Sequence, residues 1–309
     1  MNPKVNILFV SSGNSKNGIS PLVLNQGKSL IQLGHYVTFF TIKEKGIKGY
    51  LKYIFILRKF IKNNSYDVIH AHYSLSAIVT ALAGGKPMIV SLMGSDVKAS
   101  PLLKYLIKLF NFLFWKKVIV KSRDMKTSCD IEDAYVIPNG VNFTKFKECV
   151  KDDALEITGW NKEKKHILFA ANPKRREKNY QLANEAFKLL NDKGLELHVL
   201  VDIPHQHMPA YFNAADVILL TSLWEGSPNV IKEAMACNCK IVAVDVGDIR
   251  ETIGGTEGCY VTNFDKTEIA DCIHKALAYS DKPNGRAHIA HLDSEVIAKK
   301  LTNIYTENL

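Results

Sequence analysis

The sequence predicts an α/β chain made of two parallel-sheet halves. Three observations carry this. Short apolar runs alternate with longer helical patterns along the whole chain. The alternation pauses in a charged, linker-like stretch near 142–164 and then begins again. The length, 309 residues, suits two domains of about 150 residues each.

The first half opens with VNILFV (5–10), a strand, and a helix over 20–33 that Gly34 ends as a C′ glycine. HYVTFFTI (35–42) is the next strand, followed by a helix at 47–63 and strand YDVIHA (66–71). A helix at 74–84 stops at Gly84-Gly85, before strand PMIVSLMG (87–94). A long apolar helix at 101–116, strand KVIVKS (117–122) and YVIPNGV (135–141) complete the half. The second half repeats the pattern. Strands are expected at 165–171, 195–201, 216–222, 240–245 and 258–263, and helices at 179–192, 207–214, 228–237 and 266–279. A final helix is expected at 293–307. This alternation is that of Rossmann-like domains, with residues 1–145 forming one, 146–292 the other, and 293–309 packing back towards the first.

Composition narrows the function classes. Hydrophobic residues make up 47% and charged residues 23%, enough apolar material for a core in each half. The apolar run Ile7–Val10 is too short for a signal peptide, and no stretch approaches a membrane span, so a cytoplasmic protein is expected. Cys129, Cys149, Cys237, Cys239, Cys259 and Cys272 show no CxxC pair and read as reduced, buried thiols. The net charge of +9 is uneven: residues 1–150 carry +13 and residues 151–309 carry −4. One half therefore meets an anionic surface. The basic segments contain no nucleic-acid module, so nucleic acid is not expected.

In open parallel sheets, ligands bind beyond the carboxyl ends of the strands, so the loops there are the candidate sites. In residues 216–251 a buried strand ends in SLWEGSPN, and a helix starts at about Pro228. The helix N-terminus, with the backbone of Gly226, Ser227, Pro228 and Asn229, offers a place for an anionic group. Glu225 lies in the loop and Glu233 on the helix, where a carboxylate can accept two hydrogen bonds from a ribose diol. After another strand, AANPKRREKN (170–179) clusters Lys174, Arg175, Arg176 and Lys178, with Asn179 as the expected N-cap of the next helix. In SSGNSKNGIS (11–20), Gly13 and Gly18 allow a close backbone approach to a ligand. Their spacing is not the dinucleotide fingerprint. Gly27-Lys28-Ser29 is not a phosphate loop either, because Leu22 occupies the required glycine position. His70-Ala71-His72 and His205-Gln206-His207 are expected to project their imidazoles apart, and no metal is expected.

The segment EGSPNVIKEAMAC (225–237), with MPAYFNAADVILLTS before it and VDVGDIRE after it, resembles the signature of family 4 retaining glycosyltransferases of the GT-B fold. DVIHAHYSLSAIVTALAGGKP, SLMGSDV and VIPNGVNFTKF resemble N-domain landmarks of the same family, and the likeness is greatest to bacterial enzymes that build capsular, exopolysaccharide or teichuronic-acid-type polymers. The resemblance implies two Rossmann-like domains facing a central cleft, a UDP- or GDP-linked sugar donor, no required cofactor, and retention at the anomeric carbon. It implies that Glu233 holds the ribose, Glu225 contacts the donor sugar, and Arg175 and Lys178 face the diphosphate. The family's usual glycine–arginine is replaced by Asn172-Pro173, which leaves Arg175 as the substitute arginine. The histidine common in the SLMGSDV loop is replaced by Met93, so either that role is absent or another group such as His72 covers it, and Asp96 remains as a helix cap or a ligand on the acceptor side. A nucleotide-sugar 2-epimerase and an inactive binding subunit are the rival readings.

Two segments of the first half mix lysines with large apolar residues. Residues 43–62 hold seven Lys/Arg against one acid, and residues 98–126 hold eight against one. In the second, Lys104, Lys108 and Asn111 form a narrow polar stripe on an otherwise apolar helix. This predicts peripheral attachment to an anionic membrane, the inner face of a plasma membrane, and a lipid-linked saccharide acceptor.

Overall fold

The structure is a computed structural model in which residues 3–14, 18–44, 46–97 and 100–307 are described. Lys16, Lys45 and Lys98, which belong to the glycine loop and the two basic segments above, lie outside the described residues. The chain divides into two compact units, residues 1–140 with 294–309, and residues 141–293.

The first unit runs β1 (Asn6–Ser12), α1 (Pro21–Gln32), β2 (Tyr36–Ile42), α2 (Gly46–Lys62), β3 (Val68–His72), α3 (Ser74–Leu82), β4 (Met88–Ser91), α4 (Gly94–Val97), α5 (Pro101–Leu113), β5 (Lys117–Val120), α6 (Arg123–Cys129) and β6 (Tyr135–Val136). The strands form one parallel sheet in the order β2-β1-β3-β4-β5-β6. Local chemistry sets the helix starts. The Ser20 hydroxyl accepts from the Val23 amide and Pro21 opens α1, while Ser100 and Pro101 do the same for α5. Gly34 follows α1 at φ 91°, the left-handed conformation that favours glycine. One face of the sheet packs Leu8, Val10, Ile69, Ala71 and Val90 against α2, α3 and α5.

The second unit runs α7 (Lys151–Thr158), β7 (Lys165–Phe169), α8 (Tyr180–Leu190), β8 (Leu195–Val199), α9 (Met208–Ala214), β9 (Val217–Leu220), α10 (Asn229–Ala236), β10 (Ile241–Val244), α11 (Ile249–Ile253), β11 (Cys259–Thr262), α12 (Lys266–Ala278) and α13 (Gly285–His288). Its parallel sheet has the order β11-β10-β9-β7-β8. The last helix, α14 (Ser294–Thr306), belongs to the first unit. There Tyr305 hydroxyl lies 2.6 Å from His70 Nδ1, and Thr302 Oγ1 lies 2.9 Å from His35 Nε2.

The fold is therefore the two-sheet α/β architecture expected. The region 142–164 is not a structureless linker. It contains α7, whose Ala154 and Leu155 are buried with Ala214 and packed by Trp160. A helix this short and charged gives little periodic signal, and its apolar stripe matters only once α9 lies beside it. Helix α6 escaped sequence reading for the same reason. Cys149 is exposed and Cys259 half-buried, so the expectation of buried thiols fails at these two.

Candidate functional site

Both sheets place their reversal of strand order between the first strand and the third, the point where parallel sheets open a crevice. In the second unit that point lies between β7 and β9. The chain leaves β7 through a loop that closes as a 3-10 turn, Arg176–Lys178, and leaves β9 through residues 221–228. These two loops are tied together. Leu223 N donates to Glu177 O at 2.8 Å, and Thr221 Oγ1 donates to Asn179 O at 2.9 Å. Across them Lys178 Nζ meets Glu225 Oε1 at 2.5 Å, and Ser222 Oγ donates to the same oxygen at 2.7 Å. Both charged side chains are 14% exposed, so the pair is shielded yet reachable.

Glu233 sits one turn inside α10. His205 Nε2 lies 2.7 Å from its Oε1, and Lys145 Nζ lies 2.7 Å from His205 Nδ1. An ammonium has no acceptor, so Nδ1 takes the hydrogen bond and Nε2 carries the proton that Glu233 accepts. The preceding residue, Lys232, is buried, and burial lowers its pKa to about 8, against the charges of Asp248 and Glu233 that raise it. Asp248 accepts from Ser227 Oγ, and burial raises its own pKa. Gly247 was missed by sequence reading although it lies in VDVGDIRE. Its φ is 63°, and a Cβ there would stand 2.8 Å from the carbonyl oxygens of Glu225 and Gly226. Only glycine lets this turn back the Glu225 loop.

Several expectations change here. Arg175 does not join Lys178. It pairs with Glu177 at 2.6 Å and is 58% exposed. Pro228 is the N-cap of α10 and has no amide hydrogen, so of the 226–229 backbone only Gly226, Ser227 and Asn229 can donate. Asn179 stands before α8 in a left-handed conformation, φ 51°, and its side chain makes no cap hydrogen bond.

In the first unit, a cavity of about 480 Å³ lies at the reversal between β1 and β3. Its lining includes Ser11, Ser12, Asn14, Tyr50, Tyr73 and Asp96. Asp96 is engaged as a cap: it accepts from Ser74 Oγ at 2.8 Å, Ser74 N at 3.3 Å and Met93 N at 2.8 Å. Burial raises its pKa and these bonds oppose the rise. Tyr73 holds φ 73° and ψ 146° at the pocket wall, a region that costs a side-chain residue about 1–3 kcal/mol. At Gly13 packing by itself requires glycine, since a Cβ would lie 2.8 Å from Thr41 Cβ. Gly18 has φ 80° with open space beside it.

His72 is not a pocket residue. It is fully buried against Phe9, with ring centroids 4.6 Å apart, and neither ring nitrogen has a hydrogen-bond partner. Burial, with Lys121 adding to it, lowers its pKa to about 3. His70 and His72 do not project apart either. Residues two apart on a strand share a face, and the two rings stack at 4.4 Å.

Comparison with known proteins agrees with this division. A Glycosyl transferase 4-like family model matches residues 19–122, and a Glycosyl transferases group 1 model matches residues 197–279. A Bacillus subtilis (strain 168) protein, named as the teichuronic acid biosynthesis glycosyltransferase TuaC, is 24% identical over 61% of this chain and 55% of its own length. An Escherichia coli UDP-Gal:alpha-D-GlcNAc-diphosphoundecaprenol alpha-1,3-galactosyltransferase is 25% identical over 63% of this chain and 62% of its own. The matched region thus spans somewhat over half the length of these two relatives. Among solved structures, a sucrose-phosphate synthase from Thermosynechococcus elongatus superposes with a TM-score of 0.82 at 18% identity, covering 97% of this chain and 98% of that one. Anabaena HepE in complex with UDP and glucose gives a TM-score of 0.76 at 16% identity over 98% and 99%. The fold class is that of GT-B glycosyltransferases.

Proposed function

We propose that this chain, whose two units carry a glycosyl transferase 4-like and a group 1 glycosyl transferase domain, transfers a sugar from a nucleoside diphosphate donor to a saccharide acceptor in surface polysaccharide synthesis. The observation that carries the reading is the Lys178–Glu225 pair at the strand-order reversal of the second unit, one helix from Glu233. Lys178 offers a cation to a diphosphate, which displaces the Glu225 carboxylate from it. Glu225 then faces the donor sugar, and Glu233, released from His205, takes the ribose diol. The amides of Gly226, Ser227 and Asn229 add donors at the start of α10. The acceptor hydroxyl attacks the anomeric carbon on the face from which the diphosphate leaves. The bond from that carbon to the diphosphate oxygen breaks, and a phosphate oxygen takes the hydroxyl proton. Retention rests on the family resemblance. No metal or other cofactor has a part in this scheme. The complexes of HepE with UDP and with UDP-glucose support a uridine diphosphate donor. The cavity of the first unit, with apolar and aromatic walls beside Ser11, Ser12 and Asn14, suits a saccharide, whose ring faces pack on the former and whose hydroxyls exchange hydrogen bonds with the latter.

The acceptor is proposed to be lipid-linked, in keeping with the diphosphoundecaprenol substrate in the name of the Escherichia coli relative. Among the described residues no helix is long and apolar enough to cross a membrane. Instead α2 exposes Leu51, Phe55 and Ile56, and α5 exposes Leu102, Tyr105, Phe112 and Leu113, interspersed with Lys104 and Lys108. Phe112 is 87% exposed. Such surfaces favour peripheral binding to the anionic inner face of a plasma membrane, each basic residue contributing about 1 kcal/mol.

A panel of nucleotide sugars screened by thermal shift, followed by product analysis with a polyprenyl-diphosphate-linked saccharide, tests the activity. A donor should raise the melting temperature and yield a glycosylated acceptor with retained configuration. Interconversion of the sugar without an acceptor would instead identify an epimerase, and no donor binding would identify an inactive subunit. In co-sedimentation, anionic vesicles should carry the protein down at low salt and release it at high salt. Charge reversal at Lys48, Lys52, Arg58 and Lys59 should abolish this, and unchanged sedimentation would remove the membrane from the proposal.

A further inference from the structure

We propose that the second unit holds a divalent transition-metal site, of the kind zinc occupies, built from His166, Glu196 and His198 on one face of its sheet at the β8 edge. The two strands create it by register. His166 on β7 is paired with Glu196 on β8, and His198 follows two residues later, so all three side chains leave the same face. His166 Nδ1 lies 2.9 Å from His198 Nε2, and Glu196 Oε2 lies 3.8 Å and 3.5 Å from those two nitrogens. Zinc binds histidine nitrogens at about 2.0–2.1 Å and carboxylate oxygens at about 2.0–2.2 Å, so neighbouring ligand atoms in a tetrahedron stand about 3.3–3.4 Å apart. The three observed separations bracket that value, and sub-ångström shifts bring the atoms onto one ion.

The surroundings prepare the ligands. His166 is fully buried, and its other nitrogen, Nε2, lies 2.9 Å from the Asn161 carbonyl oxygen. That carbonyl accepts only, so Nε2 carries the hydrogen and Nδ1 presents its lone pair to the site, the usual arrangement behind a metal-bound imidazole. Trp160 stacks on His198 with centroids 3.7 Å apart and planes 11° apart, which fixes the second imidazole. Asp216, close by, is engaged by Lys151, Lys165 and the His166 amide and is not a fourth ligand. His198 is 19% exposed and Glu196 36%, which leaves the fourth position open to water. Two imidazoles and one carboxylate suit zinc and its neighbours rather than magnesium or calcium, which take all-oxygen sets.

The site is distinct in its residues from the donor loops. His166 is the second residue of β7 and His198 is level with Leu168, while Lys178 lies in the loop that follows Phe169. A bound ion ties the edge strand β8 to β7 and raises the stability of the unit.

The experiment uses the full chain, stripped with chelator and titrated with zinc against a chromophoric competitor, and separately with cobalt to read the ligand field. One equivalent should bind, the melting temperature should rise, and the cobalt spectrum should lack a thiolate charge-transfer band. His198→Ala and Glu196→Gln should each weaken binding at least about 100-fold, because even changes behind the ligands cost about 10–100-fold. Should His198→Ala fail to fold without its stack on Trp160, the part-exposed Glu196→Gln decides. Cys149→Ser, which removes the exposed thiol, should bind as the parent does. Parent-like affinity in Glu196→Gln, a thiolate band that disappears in Cys149→Ser, or no binding by the parent chain overturns the proposal.

Discussion

The two units share one topology and use it differently. Each sheet reverses its strand order beside its first strand. At that point the second unit sets a shielded cation against a carboxylate, Lys178 against Glu225. The first unit leaves an open cavity whose wall mixes serines and Asn14 with Val23, Leu75, Leu103 and two tyrosines, and where the Asp96 carboxylate caps the start of α3. A paired cation is held ready for a stronger anion, whereas a cavity of mixed hydroxyl, aromatic and apolar wall suits a neutral sugar. The difference assigns the diphosphate to one unit and the saccharide to the other under the proposed function.

Four substitutions test this contrast. The largest effect is expected for Lys178→Ala. Turnover should fall by about 100- to 1,000-fold, the usual loss when a positioned donor to developing charge is removed, while binding of the free nucleoside changes little. Steady-state kinetics beside calorimetry reads both, and wild-type turnover would take the diphosphate away from this loop. Next, Glu233→Ala should weaken donor binding by about 1.5–3 kcal/mol, the worth of hydrogen bonds to a charged group. Calorimetry showing equal affinity would free Glu233 for a purely structural role with His205.

The third expectation belongs to the core of the first unit. His72 stays neutral in the fold because burial holds its pKa at about 3, against an ordinary 6.5. Between those values the unfolded chain binds the extra proton, so stability rises with pH and falls as pH drops below about 6.5, by up to about 1.4 kcal/mol per unit. From pH 7 to pH 5, denaturant unfolding of the wild type should lose about 2 kcal/mol more than that of His72→Leu. Equal losses would place the histidine in contact with water. The smallest effect is expected for Arg175→Ala. Its exposed pair with Glu177 is worth at most about 1 kcal/mol, so turnover should fall less than about fivefold. A loss as large as that of Lys178→Ala would mean that the loop turns when a donor binds.

The sequence suffices for the α/β alternation, nearly every strand and long helix, and the pairing of the EGSPNVIKEAMAC segment with a basic loop. These are local properties: periodicity, caps such as Ser20 and Asp265, and turns that need glycine. It did not determine which basic residue of 174–178 turns inward, because Arg175 and Lys178 differ only in what lies across from them, Glu177 for one and Glu225 for the other. Nor did it reveal that His72 is sealed beneath Phe9, or that any side chain is barred where Gly247 backs the Glu225 loop. The metal-ligand trio shows the division most plainly. Glu196 and His198 sit two apart on one strand, a spacing legible in the chain, but His166 lies thirty residues before Glu196, and only the parallel register of β7 with β8 brings it alongside. Strand order and register depend on burial across the whole sheet, and that is information no local stretch of sequence contains.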